Sequence, residues 1–367
     1  MNANILEVNT KTLRKNISII KAYTQTKFCF PVKANAYGHG LDIIVKNSYD
    51  LVDYFAVACL SEAIQVYSAC NEKPILVFGR VEYDDISKVL DCDFIYSIHS
   101  IEDIRSLSKI AKESSIKIKV HININTGMNR MGVGFDGYKE VIDKAYNSQH
   151  IELLGVYSHF ACADDKNHPF NLQQNQRFKE VVAYTKSIKE NVICHLTNSY
   201  GLVGQADVCY DMVRPGILSY GFLPEFEVDD IVKEIQPIAR LTSEIIKIIS
   251  LNDGDSVGYS LLHKGFEGEY IATIPIGYGD GFFRALGGKG FVTIDEDTYP
   301  IVGKMSMDAM AISLGSNHKS LRVGNQVEII SNNPSLPNSA KSIAKLLNTI
   351  EYDVAATLNE RIVRIGL

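Results

Sequence analysis

FCFPVKANAYGHGLDIIVKNSYDLVDYFAVAC, residues 28–59, carries the pattern that decides the fold. Two apolar, β-rich runs, 28–33 and 54–59, flank a segment of helical spacing. Strands buried on both faces of a parallel sheet read as continuous apolar runs of this kind. Working outward, six further runs follow: PILVFG (74–79), DFIYSI (93–98), KIKVHI (117–122), LLGVYS (153–158), VICHLT (192–197) and YDMVRPGI (210–217). The intervening segments space apolar residues as amphipathic helices do, for example Ile101, Ile104, Leu107 and Ile110. Eight β/α alternations predict an α/β fold with an N-terminal (β/α)8 TIM barrel; an open doubly wound sheet is the rival architecture.

The 367 residues exceed the roughly 250 of one barrel, so a second domain is expected. The alternation fades into FLPEFEVDDIVKEIQ (222–236), an acidic stretch that reads as a linker. We place the barrel at 1–230 and a second domain at 231–367. In the second part, ARLTSEIIKIIS, EYIATIPIG, FVTIDED and QVEIIS are separated by Gly and Asp turns, which predicts a mainly antiparallel β C-terminal domain with a helix near 339–347.

A net charge of −6, with both signs mixed along the chain and no basic run, argues against nucleic acid as a partner. No apolar stretch approaches the roughly 20 residues of a membrane span, and MNANILEVNTKTLRKN lacks the apolar core of a signal peptide. A cytoplasmic protein is expected. Seven widely spaced cysteines without a CxxC pair fit reduced thiols and make no zinc pattern.

Barrel chemistry gathers at the C-terminal ends of the strands. There stand Lys33 after the first run, Asn125 and Arg130 after the fifth, His159 after the sixth, Asn198 and Ser199 after the seventh, and Arg214 in the eighth. Lys33 reads either as a desolvated amine fit for a Schiff base or as a lysine snorkelling at a strand end. TNSYG (197–201) and RPGI (214–217) suit either a phosphate cradle or ordinary turns. Arg214 is a fixed charge beside a cofactor ring or half of an ion pair. His159 and His195 are catalytic or simply structural, and Asp164 and Asp165 read as a solvated acidic loop rather than metal ligands.

At PVKANAYGHG (31–40) the sequence resembles the fold-type III alanine racemases. NTGMNRMG (125–132), GVYSHFACAD (155–164), HLTNSYG (195–201), MVRPGI (212–217), DSVGYS (255–260), IGYGDGF (276–282), VGKMSMD (302–308) and TIEYD (349–353) follow in the family's order. The resemblance implies that Lys33 binds pyridoxal 5'-phosphate covalently and that Tyr37, Ser199, Gly216, Ile217 and Tyr352 hold its phosphate. Asn198 belongs to the same cofactor set. It further implies that Arg214 faces the pyridine nitrogen, where a guanidinium cannot donate a full proton. Racemisation then uses two bases, Lys33 for the D-enantiomer and Tyr259 for the L-enantiomer. A phenol titrates near pH 10, so His159 and Arg214 are expected to assist Tyr259 through a hydrogen-bonded chain. Arg130 holds the cofactor's phenolic oxygen and, with the Met307 backbone, the substrate carboxylate. Tyr278 and Tyr352 narrow the entrance, which favours alanine. The resemblance also implies an N-terminal strand, about 3–8, that joins the second domain, and a homodimer with composite active sites in which Tyr259 and Met307 serve the partner subunit.

Several positions depart from the common pattern. Asn123 stands where many members carry a carbamylated lysine, and an anion near Asn123 and Arg130 is expected in its place. Asn125 replaces an aspartate, Lys304 an arginine and Tyr200 a small residue. Alternative readings are a racemase for serine or other small amino acids, a related amino-acid decarboxylase, and a non-catalytic carrier of pyridoxal phosphate.

Overall fold

All eight barrel runs are strands, and they close on themselves. The computed structural model describes residues 4–205, 208–316, 318 and 320–367. Among them the strands Lys27–Pro31, Tyr54–Val57, Ile75–Val77, Ile95–Ile98, Ile118–Asn125, Ile151–Tyr157, Ile193–His195 and Met212–Val213 pair in parallel, each with its successor in this order, through the seventh. The eighth returns to the first, with Met212 opposite Lys27. The last seam, between seventh and eighth, is closed by Asp211 N–H to Cys194 O at 3.0 Å and Arg214 N–H to Thr197 O at 2.9 Å. An open doubly wound sheet has no such closure. The rings of Tyr54 and His121, on strands separated by two others, lie 6.3 Å apart, as they can only across a barrel interior.

The fifth strand shows why the sequence settles here. Ile118, Val120, Ile122 and Ile124 are buried on one face, while His121, Asn123 and Asn125 alternate with them on the other. Outside, the helix Ile101–Glu113 buries Ile104, Leu107 and Ala111. Its start is fixed by a capping box in which Ser100 and Asp103 satisfy each other's backbone N–H groups.

The chain forms two compact units. The barrel unit comprises Leu13–Ala36 and Ile44–Ile235; the other holds the chain up to Thr12, Tyr37–Ile43 and Gln236–Leu367. The stretch 222–236 contains a short helix, Asp230–Lys233, and buries Val232 and Ile235. In the second unit, nine strands among the described residues form one sheet in the order Lys247–Ser250, Tyr270–Ile274, Met310–Gly315, Asp297–Val302, Phe291–Ile294, Gln326–Ile330, Ala239–Glu244, Ile5–Val8 and Val363–Gly366. Every pair is antiparallel except the last. The N-terminal strand thus pairs inside this sheet; Ala3, the first residue of the expected 3–8 strand, lies outside the described residues. The helix Ala340–Leu347 follows, its N-terminus capped by Ser339. Among the described residues no helix is long and apolar enough to cross a membrane.

Candidate active site

Lys33 opens an unusual piece of backbone. Val32 N–H makes the last rung of the ladder, to Ala56 O at 2.8 Å, and the next residues, Ala34, Asn35, Ala36 and Tyr37, have φ of 52°, 53°, 54° and 52°. This is a left-handed turn of L-residues, which costs about 1–2 kcal/mol per residue and persists only where the surroundings impose it. Ala36 N–H closes the turn on Val32 O at 2.8 Å, and Glu62 Oε1 accepts from Ala34 N–H at 2.6 Å. At Gly38, with φ +82°, an added Cβ would fall 1.9 Å from Ala355 O, so only glycine fits. Burial, and then the positive charge of Arg130, lower the Lys33 pKa, with Glu62 opposing them. Desolvation makes this amine a nucleophile nearer neutrality than an exposed lysine.

Arg214, buried at 3% exposure, organises the barrel mouth. Its Nη2 donates to Ser158 O at 2.7 Å and Leu196 O at 3.0 Å and lies 3.2 Å from His159 Nδ1. Its Nη1 lies 2.6 Å from His195 Nδ1. Because a guanidinium only donates, His195 Nδ1 must accept, its proton sits on Nε2, and that N–H donates to His121 Nδ1 at 2.8 Å. His121 then carries its proton on Nε2, which has no partner among the described residues. Burial, and then Arg214, hold both rings neutral: His121 is pushed down to about 3 and His195 well below its usual value. His159 is lowered by the same causes, joined by Arg130 and Lys33. Burial brings Arg214 to about 10, still a cation at neutral pH. Among the described residues its own Nε–H has no partner, and no carboxylate pairs with it.

The two last loops supply donors. Asn198 caps the short helix Ser199–Gly204 by accepting Gly201 N–H at 2.9 Å, and its backbone bridges to Arg214. Ser199 Oγ accepts Leu218 N–H at 3.2 Å. Gly216 and Ile217 are buried, yet neither of their N–H groups donates to any described residue. Buried backbone N–H groups are almost always satisfied, so this pair leaves two donors that an anion such as a phosphate could accept from.

Arg130, exposed and in no ion pair among the described residues, rides on a loop that Asn125 shapes by accepting Gly127 N–H and Asn129 N–H, each at 3.0 Å. A neutral amide thus does the turn-forming work of a carboxylate. Asn123 lies 3.3 Å from His99 Nδ1; His99 Nε2 points at Phe78 O at 3.0 Å, so the ring accepts from the Asn123 amide.

The remaining predicted residues belong to the second unit. The Tyr37 and Tyr352 rings lie 5.9 Å apart. Tyr259, 67% exposed, sits on a kinked turn between Gly258 (φ 74°) and Ser260 (φ 61°), where Lys304 Nζ donates to Ser260 Oγ at 2.9 Å. Tyr278 and Met307 are exposed on two loops tied by Gly279 N–H to Met307 O at 2.8 Å. Met307 N–H donates to nothing among the described residues. Arg361 clamps both loops, through Asp280 at 3.2 Å and Asp308 at 2.8 Å.

Sequence reasoning missed Glu62, Arg361 and His121. Only His121 left a signal, as an inward polar residue in the alternation of the fifth strand. The donor set fits pyridoxal phosphate: a desolvated lysine, unpaired buried N–H groups for a phosphate, and an unpaired Arg214 Nε–H for an aromatic nitrogen.

Known proteins agree. Residues 8–224 match the alanine racemase N-terminal domain model and residues 238–366 the C-terminal domain model. The alanine racemase of Francisella tularensis subsp. novicida is 55% identical over 362 residues, spanning 98% of this chain and 99% of the relative. The solved alanine racemase of Clostridium difficile 630 superposes with a TM-score of 0.93 at 29% identity, covering 100% of this chain and 96% of the other. That of Bartonella henselae, described with covalently bound pyridoxal phosphate, gives 0.89 at 25% identity, covering 100% and 99%. With both domains matched in order and more than half the residues shared with a full-length relative, the chain belongs to the alanine racemase family.

Proposed function

We propose that this protein interconverts L-alanine and D-alanine with pyridoxal 5'-phosphate, in the cytoplasm, using Lys33 and Tyr259 as the two bases. The observation that carries the reading is the convergence, at one barrel mouth, of the lowered Lys33 amine with the unpaired N–H groups of Gly216, Ile217 and Arg214. Lys33 would take the cofactor's aldehyde, the Ser199, Gly216 and Ile217 loops, with Tyr37 and Tyr352, its phosphate, and Arg214 Nε its ring nitrogen. Bound there, pyridoxal phosphate acidifies the α-hydrogen of the amino acid attached to it.

Each base then works on one face. Lys33 exchanges a proton with the D-enantiomer and Tyr259 with the L-enantiomer; His159, oriented by Arg214 and beside Asn198, relays charge to the tyrosine. Arg214, a cation that only donates, would hydrogen-bond the ring nitrogen without protonating it. Arg130 and Met307 N–H would bind the substrate carboxylate, while Tyr278 and Tyr352 exclude longer side chains by steric cost. A small anion beside Arg130 and Asn123 would stand in for the carbamylated lysine of other members.

Tyr259 and Met307 would serve the barrel of a partner subunit in a homodimer. An exposed run of large apolar side chains, Tyr259, Leu261, Leu262 and Phe266, supports this, since monomers rarely leave such a patch to water. The test is conversion of L-alanine to D-alanine by purified protein with pyridoxal phosphate, beside L-serine and L-lysine. Alanine turning over fastest is expected; cofactor uptake without enantiomer exchange would turn the reading into the carrier alternative.

A further inference from the structure

We propose that Glu62 is a positioning residue for Lys33, its carboxylate clamping the left-handed turn after Lys33 to the end of the second barrel strand. The inference rests on the reading of Lys33 as the cofactor's amine. Glu62 lies in the first turn of the helix Leu60–Ala69, half-buried. One oxygen accepts Ala34 N–H at 2.6 Å and the other accepts Ala58 N–H at 2.8 Å.

These two N–H groups stand just beyond the point where the ladder between the first and second strands ends, with Pro31 opposite Ala56. Neither donates to anything else among the described residues. The carboxylate therefore spans two strand ends that backbone carbonyls no longer connect. It acts at the first residue of a turn whose φ values L-residues avoid, so the strained turn and the clamp occur at the same place. Glu62 is also the carboxylate whose field opposes the lowering of the Lys33 pKa.

The chemistry of the side chain makes the test sharp. A carboxylate offers two acceptors and no donor, whereas the amide of Glu62→Gln turns a donor toward one of the two N–H groups. Glu62→Asp keeps the charge but, one methylene shorter, reaches only one. Amide hydrogen exchange in the full-length protein without cofactor, together with titration of pyridoxal phosphate, separates the outcomes. In Glu62→Gln, exchange at Ala34 and Ala58 should quicken about tenfold or more while the barrel core is unchanged, and the Kd for pyridoxal phosphate should rise about tenfold, with Glu62→Asp in between.

Unchanged exchange at Ala34, acceleration spread evenly through the barrel, or faster exchange with unaltered cofactor affinity would each overturn the proposal. Wild-type protein that took up no pyridoxal phosphate would sink the reading of Lys33, and the exchange comparison would still decide whether Glu62 holds the turn.

Discussion

Replacing Gly155 by alanine should unseat the histidine pair behind Arg214. Gly155 lies in the sixth barrel strand, and a Cβ there would fall 2.5 Å from both Cε1 and Nδ1 of His121. His121 is fully buried in the barrel interior, so its ring cannot swing into solvent to make room. Moving it costs about 1–3 kcal/mol of overpacking. The displaced Nδ1 is also the acceptor for His195, and leaving that buried N–H unpaired costs about another 1–3 kcal/mol. At roughly 2–4 °C per kcal/mol for a domain of this size, a melting temperature lower by at least about 4 °C is expected. Because His195 is hydrogen-bonded to Arg214, kcat/KM should fall as well. The assay is calorimetry with kinetics on the same preparation. A Gly155→Ala protein that melts within about 1 °C of wild type with unaltered kcat/KM would refute both the tight contact and the coupling to Arg214.

The buried histidines also set a pH dependence. His121 and His195 stay neutral in the fold while the unfolded chain protonates them below about 6.5, so their stabilisation is complete above that pH and is lost as pH falls. Each should add a slope of up to about 1.4 kcal/mol per pH unit, and urea midpoints measured between pH 7 and 5 should flatten in His121→Gln; equal slopes in the two proteins would contradict this. Subunit sharing is checked by mixing. Lys33→Ala and Tyr259→Phe proteins, each inactive alone, should recover about a quarter of wild-type activity after unfolding and refolding together, since half the dimers are mixed and each holds one intact site. No recovery would rule out composite sites.

The barrel was legible because parallel strands buried on both faces leave apolar runs, and all eight were found that way. The second unit was less so. Asp297–Val302 and Val363–Gly366 escaped notice because exposed positions break the apolar signal, and Met310–Gly315, which alternates buried with half-buried positions, was missed without such a cause. The positions proposed for the cofactor were visible as polar residues after strand ends, but what holds them was not. Nothing in KANAY announces four successive left-handed residues, and only Asn35 among them commonly adopts that conformation. Glu62 looks like any acidic residue in a first helical turn, where the macrodipole favours it, so its bonds to Ala34 and Ala58 emerge only in three dimensions. The Arg214, His195 and His121 chain likewise depends on the closure of the last seam, which no local pattern encodes.

The central claim, two bases on opposite faces of one carbon, is tested most directly by following solvent deuterium into alanine in D2O, with wild type, Lys33→Ala and Tyr259→Phe proteins supplied with pyridoxal phosphate. Wild type should give D-alanine labelled at the α-carbon from L-alanine. Tyr259→Phe should lose racemisation by a factor of about 100 or more while still exchanging the α-hydrogen of D-alanine, and Lys33→Ala should lose covalent cofactor. Racemisation by Tyr259→Phe at the wild-type rate would contradict the account.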